Sequence, residues 1–335
     1  MTPAQIAKRN RMRIVLAFAA VYVLWGSTYL FIKFATEALP PFLLGFLRFI
    51  IAGGLLYGAA RWRGAARATG SEVKLAALSG ILMLGVGNGA VMWSVQRIPT
   101  GVAALIVSSV PIWVVVLEWL RPRGVRPKKS MFVGLALGLI GMVILIGPRA
   151  IIGDGHVDEL GAGVLLAGSV GWALGTLVTR HSERPGSPLV FASLQMMAAA
   201  GAMLVISMVL GELPRFSVDT LTARALWSVV YLVIAGSIIG FTAYIYLLGV
   251  VSAAKASTYA YVNPIIAVLL GWAFANEPLG LRTAVAAAVI LAGVALITAT
   301  QAVSGSSSSA AVPRASSPRE SEELPARPAP AFGEP

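Results

Sequence analysis

The sequence predicts an all-α polytopic membrane protein, with ten transmembrane helices in two inverted five-helix repeats around a central cavity. Of its 335 residues, 57% are hydrophobic and 12% are charged, whereas a soluble domain carries roughly 25% charged residues. Ten apolar runs approach the ~20 residues that a helix needs to cross a bilayer. These runs are continuous rather than alternating, which disfavours a β-barrel.

The runs form two groups of five, in residues 14–148 and 160–300. In chain order they are 14–34, 41–60, 75–95, 100–120, 130–148, 160–179, 188–210, 225–249, 254–275 and 282–300. The first run is too long for a signal-peptide core and no small-residue cleavage site follows it, so we expect it to be retained. A basic segment, 1–13, precedes it. Residues 303–335 are rich in Ser, Pro, Ala and Glu and predict a disordered cytoplasmic tail.

The two halves are related by two constant differences in residue number. Offsets of 147 and then 153 pair identical residues: Trp25 with Trp172, Pro41 with Pro188, Pro111 with Pro264 and Trp119 with Trp272. Because each half holds an odd number of spans, equivalent helices cross in opposite directions and the repeat axis lies in the membrane plane. Matched proline-interrupted helices in two such halves indicate a substrate site near the bilayer midplane.

The net charge is +12, and the basic residues are unequally divided between the two sides of the predicted bundle. Nineteen of the 26 Lys and Arg residues fall on the side that holds the N-terminus, five fall on the other side, and Lys33 and Arg48 lie inside spans. The positive-inside rule places the basic side in the cytoplasm, with both termini, Arg67 and Arg126 there and Asp154 opposite. This distribution is that of a bilayer protein and gives no indication of nucleic-acid binding. Disulfides are excluded because the chain has no cysteine.

Several runs resemble the EamA-type family of the drug/metabolite transporter superfamily, and within it the YedA-type inner-membrane permeases. They are Trp25–Tyr29, Arg48-Phe49, Gly87–Gly89, Gly236–Ile239 and Ser257–Pro264. The resemblance covers about residues 14–300 and implies ten helices that move small metabolites, commonly outward, including amino acids and other polar or amphiphilic compounds. One departure is that the acidic residue Glu277 of the second half aligns with Gly124 in the first.

The predicted substrate site consists of aromatic and polar side chains near mid-span. A cavity of this composition suits a small amphiphile; the alternative is that the aromatic residues form interfacial belts. Trp25, Tyr29 and Lys33 share one helix stripe, and Trp25, Tyr244 and Tyr261 are expected to approach one another. The candidate substrate-binding residues are Trp25, Tyr29, Lys33, Arg48, Asn88, Trp93, Tyr244, Tyr261 and Asn263.

Two of these residues and two prolines are candidates on further physical grounds. Lys33 and Arg48 are basic residues within the spans, and charge buried in a membrane indicates a functional site, unless the side chain snorkels to the interface. Pro111 and Pro264 each free the carbonyl four residues earlier. They are candidate gating positions, or else packing kinks.

The absence of Asp or Glu from the middle of every predicted span argues against proton antiport through a buried carboxylate. Downhill export or exchange by alternating access fits better, with import or a passive channel as alternatives. An intramembrane enzyme would need a nucleophile and base or a metal site, but the two histidines, His156 and His181, are predicted in loops on opposite sides. We therefore expect no cofactor or metal. The small-xxx-small pairs are compatible with a monomer.

Overall fold

The computed structural model describes residues 3–98, 100–122, 124, 126–146, 158–182, 186–275 and 281–309. Within these ranges every regular element is helical and there is no β-strand. Seven described helices are long and apolar enough to cross a bilayer, and two shorter apolar helices, Lys129–Leu145 and Leu281–Ile297, accompany them. The predicted all-α, multi-pass membrane fold is confirmed at this level.

The helices follow the predicted runs closely. In chain order they are α1 (Pro3–Thr36), α2 (Pro41–Trp62), α3 (Gly70–Ser94), α4 (Thr100–Val107), α5 (Val110–Leu120), α6 (Lys129–Ile146), α7 (Glu159–His181), α8 (Pro188–Val209), α9 (Ala223–Val250), α10 (Ala253–Ala256), α11 (Tyr259–Ala275) and α12 (Leu281–Ser309). The last helix thus continues through residues 303–309, which were assigned to the tail from sequence. Asp154, Glu277 and residues 310–335 lie outside the described residues.

Several helices, among them α3, α7, α8 and α9, begin at a local side-chain cap, but α2 is capped from a distance. Thr69 and Glu72 form a capping box at the start of α3, a standard way to satisfy the first free N–H groups. At α2 the preceding residue, Pro40, makes no side-chain cap. Instead the buried carboxylate of Glu212, in the loop after α8, accepts hydrogen bonds from the backbone N–H groups of Phe42 (3.3 Å) and Leu43 (2.9 Å).

Helices at equivalent places in the two halves pack in equivalent ways. The second spans of the halves, α2 and α8, pack on each other, as do the fifth, α6 and α12. The first span, α1, packs on α9 and α11, and its counterpart α7 packs on α3 and α5. These contacts place α1, α3, α7 and α9 around the centre of the bundle.

Two of these central helices contain π-helical stretches, Ile81–Asn88 in α3 and Leu232–Phe241 in α9. Adding the offset of 153 to the first stretch gives 234–241, which lies within the second. The π-helix is rare and occurs frequently at functional sites. Its position in both central helices therefore directs attention to the space between them.

The two matched prolines lie in different local structures. Pro264 is inside α11, as predicted. Pro111 is at the start of α5, because the fourth predicted span is interrupted at Ser108-Ser109 between α4 and α5. Proline is well suited to the first turn of a helix, where its missing N–H costs nothing. The fourth predicted span is therefore not one regular helix: α4 and α5 together make up the apolar segment Ala103–Leu120, with the break at Ser108-Ser109 between them.

Candidate functional site

The two ends of the bundle are distinguished by their side-chain contacts. At one end the last turns of α5 and α7 meet, with Glu118 3.3 Å from His181. We call this the basic end, because the arginines and lysines that follow α2 and α5 are there. At the opposite end, the far end, Arg97 after α3 lies 3.7 Å from Asp158 before α7.

A cavity of about 70 Å³ lies between α1, α2, α3, α4, α5, α7 and α11. This is well below the roughly 300–1,000 Å³ of drug-sized ligand sites, so a substrate requires the cavity to widen. Its polar and aromatic lining is Trp25, Thr28, Tyr29, Arg48, Asn88, Ser169, Trp172, Tyr259 and Asn263. Five of the nine residues predicted to bind substrate are therefore brought together: Trp25, Tyr29, Arg48, Asn88 and Asn263.

Four aromatic rings form the wall of the cavity nearest the basic end. Trp25 meets Tyr259 edge-on with ring centroids 4.8 Å apart, and it lies 5.6 Å from Trp172 and 5.2 Å from Tyr244. The Tyr244 hydroxyl hydrogen-bonds Thr176 at 2.9 Å, one turn beyond Trp172 toward the basic end. We call these four rings the aromatic wall; aromatic pairs at such distances add to the stability gained from burial.

The aromatic wall is tied to the π-helical stretch of α9. The Trp25 Nε1–H donates to the Gly236 carbonyl at 2.9 Å. A Cβ atom at Gly240 would lie 2.5 Å from Trp25 Nε1, a contact that real Cβ atoms essentially never make. Glycine at this position is therefore what lets the indole approach the backbone of α9.

Arg48 is the most deeply buried cation of the site, with 3% of its surface exposed. Its Nε–H donates to the Ser237 hydroxyl at 2.7 Å, and its Nη2 faces Gly236, where a Cβ would lie 2.8 Å away. The guanidinium carbon is 5.0 Å from the centroid of the Phe49 ring. The remaining nitrogen, Nη1, is buried without a hydrogen-bond partner.

Two asparagines that line the cavity differ in whether their side-chain polar atoms have hydrogen-bond partners in the protein. Asn88 ends the π-helical stretch of α3, and its Oδ1 is buried without a hydrogen-bond partner. With its amide oriented to satisfy its neighbours, Asn263 donates to the carbonyls of Tyr22 (3.2 Å) and Tyr259 (3.1 Å) and so joins α1 to α11. Asn263 is thus partly committed to structure, whereas Asn88 Oδ1 has no protein partner.

Four residues predicted to bind substrate do not line the cavity. Lys33 is exposed, which agrees with the alternative that it snorkels. Trp93 lies at the far end against the guanidinium of Arg97, 4.1 Å from its carbon. Tyr244 belongs to the aromatic wall, behind the rings that face the cavity.

Tyr261 is the fourth: Trp25 and Tyr244 approach each other as expected, with ring centroids 5.2 Å apart, but the expected approach of Tyr261 to them is corrected. Tyr261 is fully buried against Gly138 of α6, with its hydroxyl 3.4 Å from the Leu135 carbonyl. Tyr259 takes the place beside Trp25. Residues two apart on a helix point in nearly opposite directions, so Tyr259 and Tyr261 cannot both face the cavity.

The prolines and some unpredicted residues complete the site. Pro111 and Pro264 are buried, and the residues just before them, Val110 and Asn263, line the cavity. Of the lining residues that sequence reasoning missed, Trp172 could have been found as the repeat partner of Trp25. Tyr259 could have been found one turn before Asn263 on the same helix face. The described residues contain no group of three or more His, Cys, Asp or Glu that could hold a metal ion.

The family profile of the EamA-like transporter family matches residues 12–147 and 159–299. The chain is 36% identical over 287 residues to the uncharacterized inner membrane transporter YedA of Escherichia coli K12, covering 84% of this chain and 89% of that protein. It is also similar to the uncharacterized transporter YvbV of Bacillus subtilis, at 25% identity over 86% of this chain and 92% of the relative.

Two further comparisons are more distant. A chloroplastic WAT1-related protein of Arabidopsis thaliana is 26% identical, over 82% of this chain and 67% of its own length. One crystal structure superposes with a TM-score of 0.71 and covers 88% of this chain and 98% of its own, at 23% identity. At that identity, the likeness shows a shared fold.

Proposed function

The chain belongs to the EamA-like transporter family, and on that premise we propose that it is a secondary transporter that exports small metabolites across the cytoplasmic membrane by alternating access. Its substrates on this proposal are amino acids or similar small polar or amphiphilic compounds. The observation that carries the proposal is the central cavity, which is lined by aromatic rings and contains buried polar atoms that no protein group satisfies. Buried polar atoms without partners beside aromatic rings are what a small-molecule site offers a ligand once the cavity widens.

We further propose that the two halves are inverted five-helix repeats and that the transporter has ten spans. Three observations support this. The family profile matches the halves separately, at 12–147 and 159–299. The equivalent helices α2 and α8 pack together, as do α6 and α12. The π-helical stretches occupy corresponding places in α3 and α9.

Alternating access requires that the aromatic wall opens toward the basic end. In the present conformation the wall separates the cavity from that end, and Trp25 is bonded to Gly236 of α9. Beyond the wall, Arg180 of α7 donates to the carbonyls of Leu248 and Val251 at the end of α9. We propose that release of these contacts lets α7 and α9 separate, so that substrate enters from the basic end, which the charge distribution assigns to the cytoplasm.

The aromatic wall also bears on the alternative of a passive channel. A channel needs a continuous path through the bundle in its conducting state. Here four interlocked rings and a hydrogen-bonded indole stand between the cavity and the basic end. Such a wall favours a carrier that must rearrange in each cycle.

The proposal is tested with the purified protein in proteoliposomes preloaded with labelled amino acids and other small amphiphiles. A carrier gives saturable efflux that is accelerated by the same unlabelled solute on the other side. Trp25→Ala should reduce this flux at least tenfold, whereas Trp227→Ala, which removes an exposed tryptophan of α9, should leave it unchanged. Flux that is linear in concentration and shows no counterflow would contradict the carrier mechanism.

A further inference from the structure

We propose that the cavity selects net-negative organic acids, with Arg48 binding the carboxylate and Asn88 accepting a hydrogen bond from a hydroxyl or N–H group on the same molecule. This inference rests on the proposed function and narrows it, because it predicts that acids bind more tightly than zwitterionic amino acids and cations. It is carried by the positions of two unsatisfied polar atoms and by the charges around them.

The first step concerns the free part of the Arg48 guanidinium. Its Nε is bonded to Ser237 and its Nη2 faces Gly236, so the side chain is held rigidly against α9. Nη1 has no partner, although Arg48 is 3% exposed and lines the cavity. A buried donor on a charged group is costly when it is left unpaired. A carboxylate satisfies it with a charge-assisted hydrogen bond.

The second step concerns the balance of charge. Arg48 has no ion pair with any described residue, and the described lining of the cavity contains no Asp or Glu. An unpaired cation in a membrane interior carries a large desolvation cost, which a bound anion offsets. A ligand cation meets repulsion instead. A zwitterion brings a carboxylate for Arg48 but also an ammonium group for which the described lining offers no carboxylate.

The third step concerns the second unsatisfied atom. Asn88 lines the same cavity from α3, and its Oδ1 is buried without a hydrogen-bond partner. An amide oxygen is an acceptor, so it calls for a donor on the ligand. The apolar remainder of the ligand would lie against Trp25, Trp172 and Tyr259 of the aromatic wall. A small 2-hydroxy acid with an apolar chain has all three features.

Three compounds with one carbon skeleton test the charge preference: 2-hydroxy-4-methylpentanoate (anion), leucine (zwitterion) and 3-methylbutylamine (cation). Binding to the full chain in detergent is measured by isothermal titration calorimetry. We expect the acid to bind at least about tenfold more tightly than leucine and the amine to show no binding. Equal or tighter binding of leucine or the amine, or no binding of the acid, would overturn the inference.

Variants identify the residues responsible. Arg48→Gln should weaken binding of the acid by about 10- to 100-fold, as expected for loss of a charge-assisted hydrogen bond. Arg282→Gln removes the same charge from an exposed helix start and should leave acid binding unchanged. Ser237→Ala removes only the hydrogen bond that holds Arg48 Nε and should leave the three ligands in the same order of affinity. Wild-type affinity in Arg48→Gln would overturn the assignment.

A second measurement covers the case in which Arg48→Gln fails to fold. Wild-type protein should bind 2-hydroxy-4-methylpentanoate more tightly than 4-methylpentanoate, and Asn88→Leu should abolish this difference. An unchanged preference in Asn88→Leu would remove Asn88 from the site. Arg48-dependent binding without flux in proteoliposomes would refute transport and leave this inference standing. Saturable flux of all three compounds at similar rates would support transport and refute the selectivity for acids.

Discussion

The indole Nε1–H of Trp25 donates a 2.9 Å hydrogen bond to the carbonyl of Gly236 and so ties α1 to the π-helical stretch of α9. Trp172, which the offset of 147 pairs with Trp25 in the sequence, stands in the same aromatic wall. Its Nε1 is buried and makes no hydrogen bond of good geometry. The two donors are therefore in different states: that of Trp25 makes a well-formed hydrogen bond, and that of Trp172 lies near the Tyr244 hydroxyl without making one. If the halves exchange conformations during transport, the Trp25 bond breaks in the other state.

This difference predicts unequal effects of two matched substitutions. Trp25→Phe removes an engaged donor and leaves the Gly236 carbonyl without it, so it should lower the free energy of unfolding by about 1–3 kcal/mol. Trp172→Phe removes at most a weak contact with the Tyr244 hydroxyl and should therefore lower the free energy of unfolding by less. Thermal unfolding of both variants in detergent provides the measurement. Equal destabilisation would mean that the Trp25 bond contributes nothing beyond ring packing.

The two tyrosines of α11 should separate binding from stability. Tyr259→Ala removes a ring from the cavity lining and should reduce flux strongly when flux is compared per folded protein. Tyr261→Ala empties a fully buried site against Gly138 and should lower the free energy of unfolding by about 3–5 kcal/mol, as large-to-small aromatic core changes do. Substrate affinity of the folded Tyr261 variant should be near wild type.

Flux through proteoliposomes and thermal unfolding are measured on the same preparations. Tyr261→Phe serves as a control, because it keeps the ring and removes only a long 3.4 Å hydrogen bond. The assignment fails if Tyr259→Ala transports normally while Tyr261→Ala folds well and is inactive.

Sequence patterns were sufficient for the helices and for much of the cavity, and the reasons differ from residue to residue. Trp25, Tyr29 and Arg48 were found because polar and aromatic side chains within apolar runs are conspicuous. The choice between Tyr259 and Tyr261 was missed because it depends on the rotation of α11 about its axis, which tertiary packing sets. Runs that are hydrophobic all round carry little information about which face is inward.

Glu212 illustrates a second limit of what can be predicted from sequence patterns. Its carboxylate satisfies two N–H groups of α2 and accepts from the Ser207 hydroxyl at 2.9 Å, yet it lies about 170 residues from α2 in the chain. No local capping signal precedes α2, since a cap supplied from another part of the chain leaves no pattern in the helix itself. The π-helical stretches are missed for a related reason, because their residues read as ordinary apolar helix.

The Glu212 contact gives a stability prediction of its own. Glu212→Ala leaves buried N–H groups of α2 unpaired and should lower the free energy of unfolding by about 1–3 kcal/mol, with little change in substrate affinity. Glu37→Ala removes an exposed carboxylate, paired with Arg224 at the same end, and should cost less than about 1 kcal/mol. Denaturation of both variants checks the difference. Comparable losses would show that the remote cap is unimportant.

Orientation in the membrane remains a prediction and is directly measurable. The chain has no cysteine, so single cysteines at positions 67 and 126 of the basic end and at position 219 of the far end can be labelled without background. An impermeant maleimide added to intact cells should label position 219 and leave positions 67 and 126 unmodified until the membrane is opened. Labelling of position 126 from outside would reverse the topology.

The paired π-helical stretches also bear on the history of the chain. A π-helical turn holds more residues than the α-helical turn it replaces, so an inserted residue is a simple origin for one. The two stretches, Ile81–Asn88 and Leu232–Phe241, coincide under the repeat offset. If the two halves are the repeats proposed above, one insertion in the unit that duplicated accounts for both stretches, whereas independent origins require two separate events at the same place. The widened turns would then be older than the duplication itself.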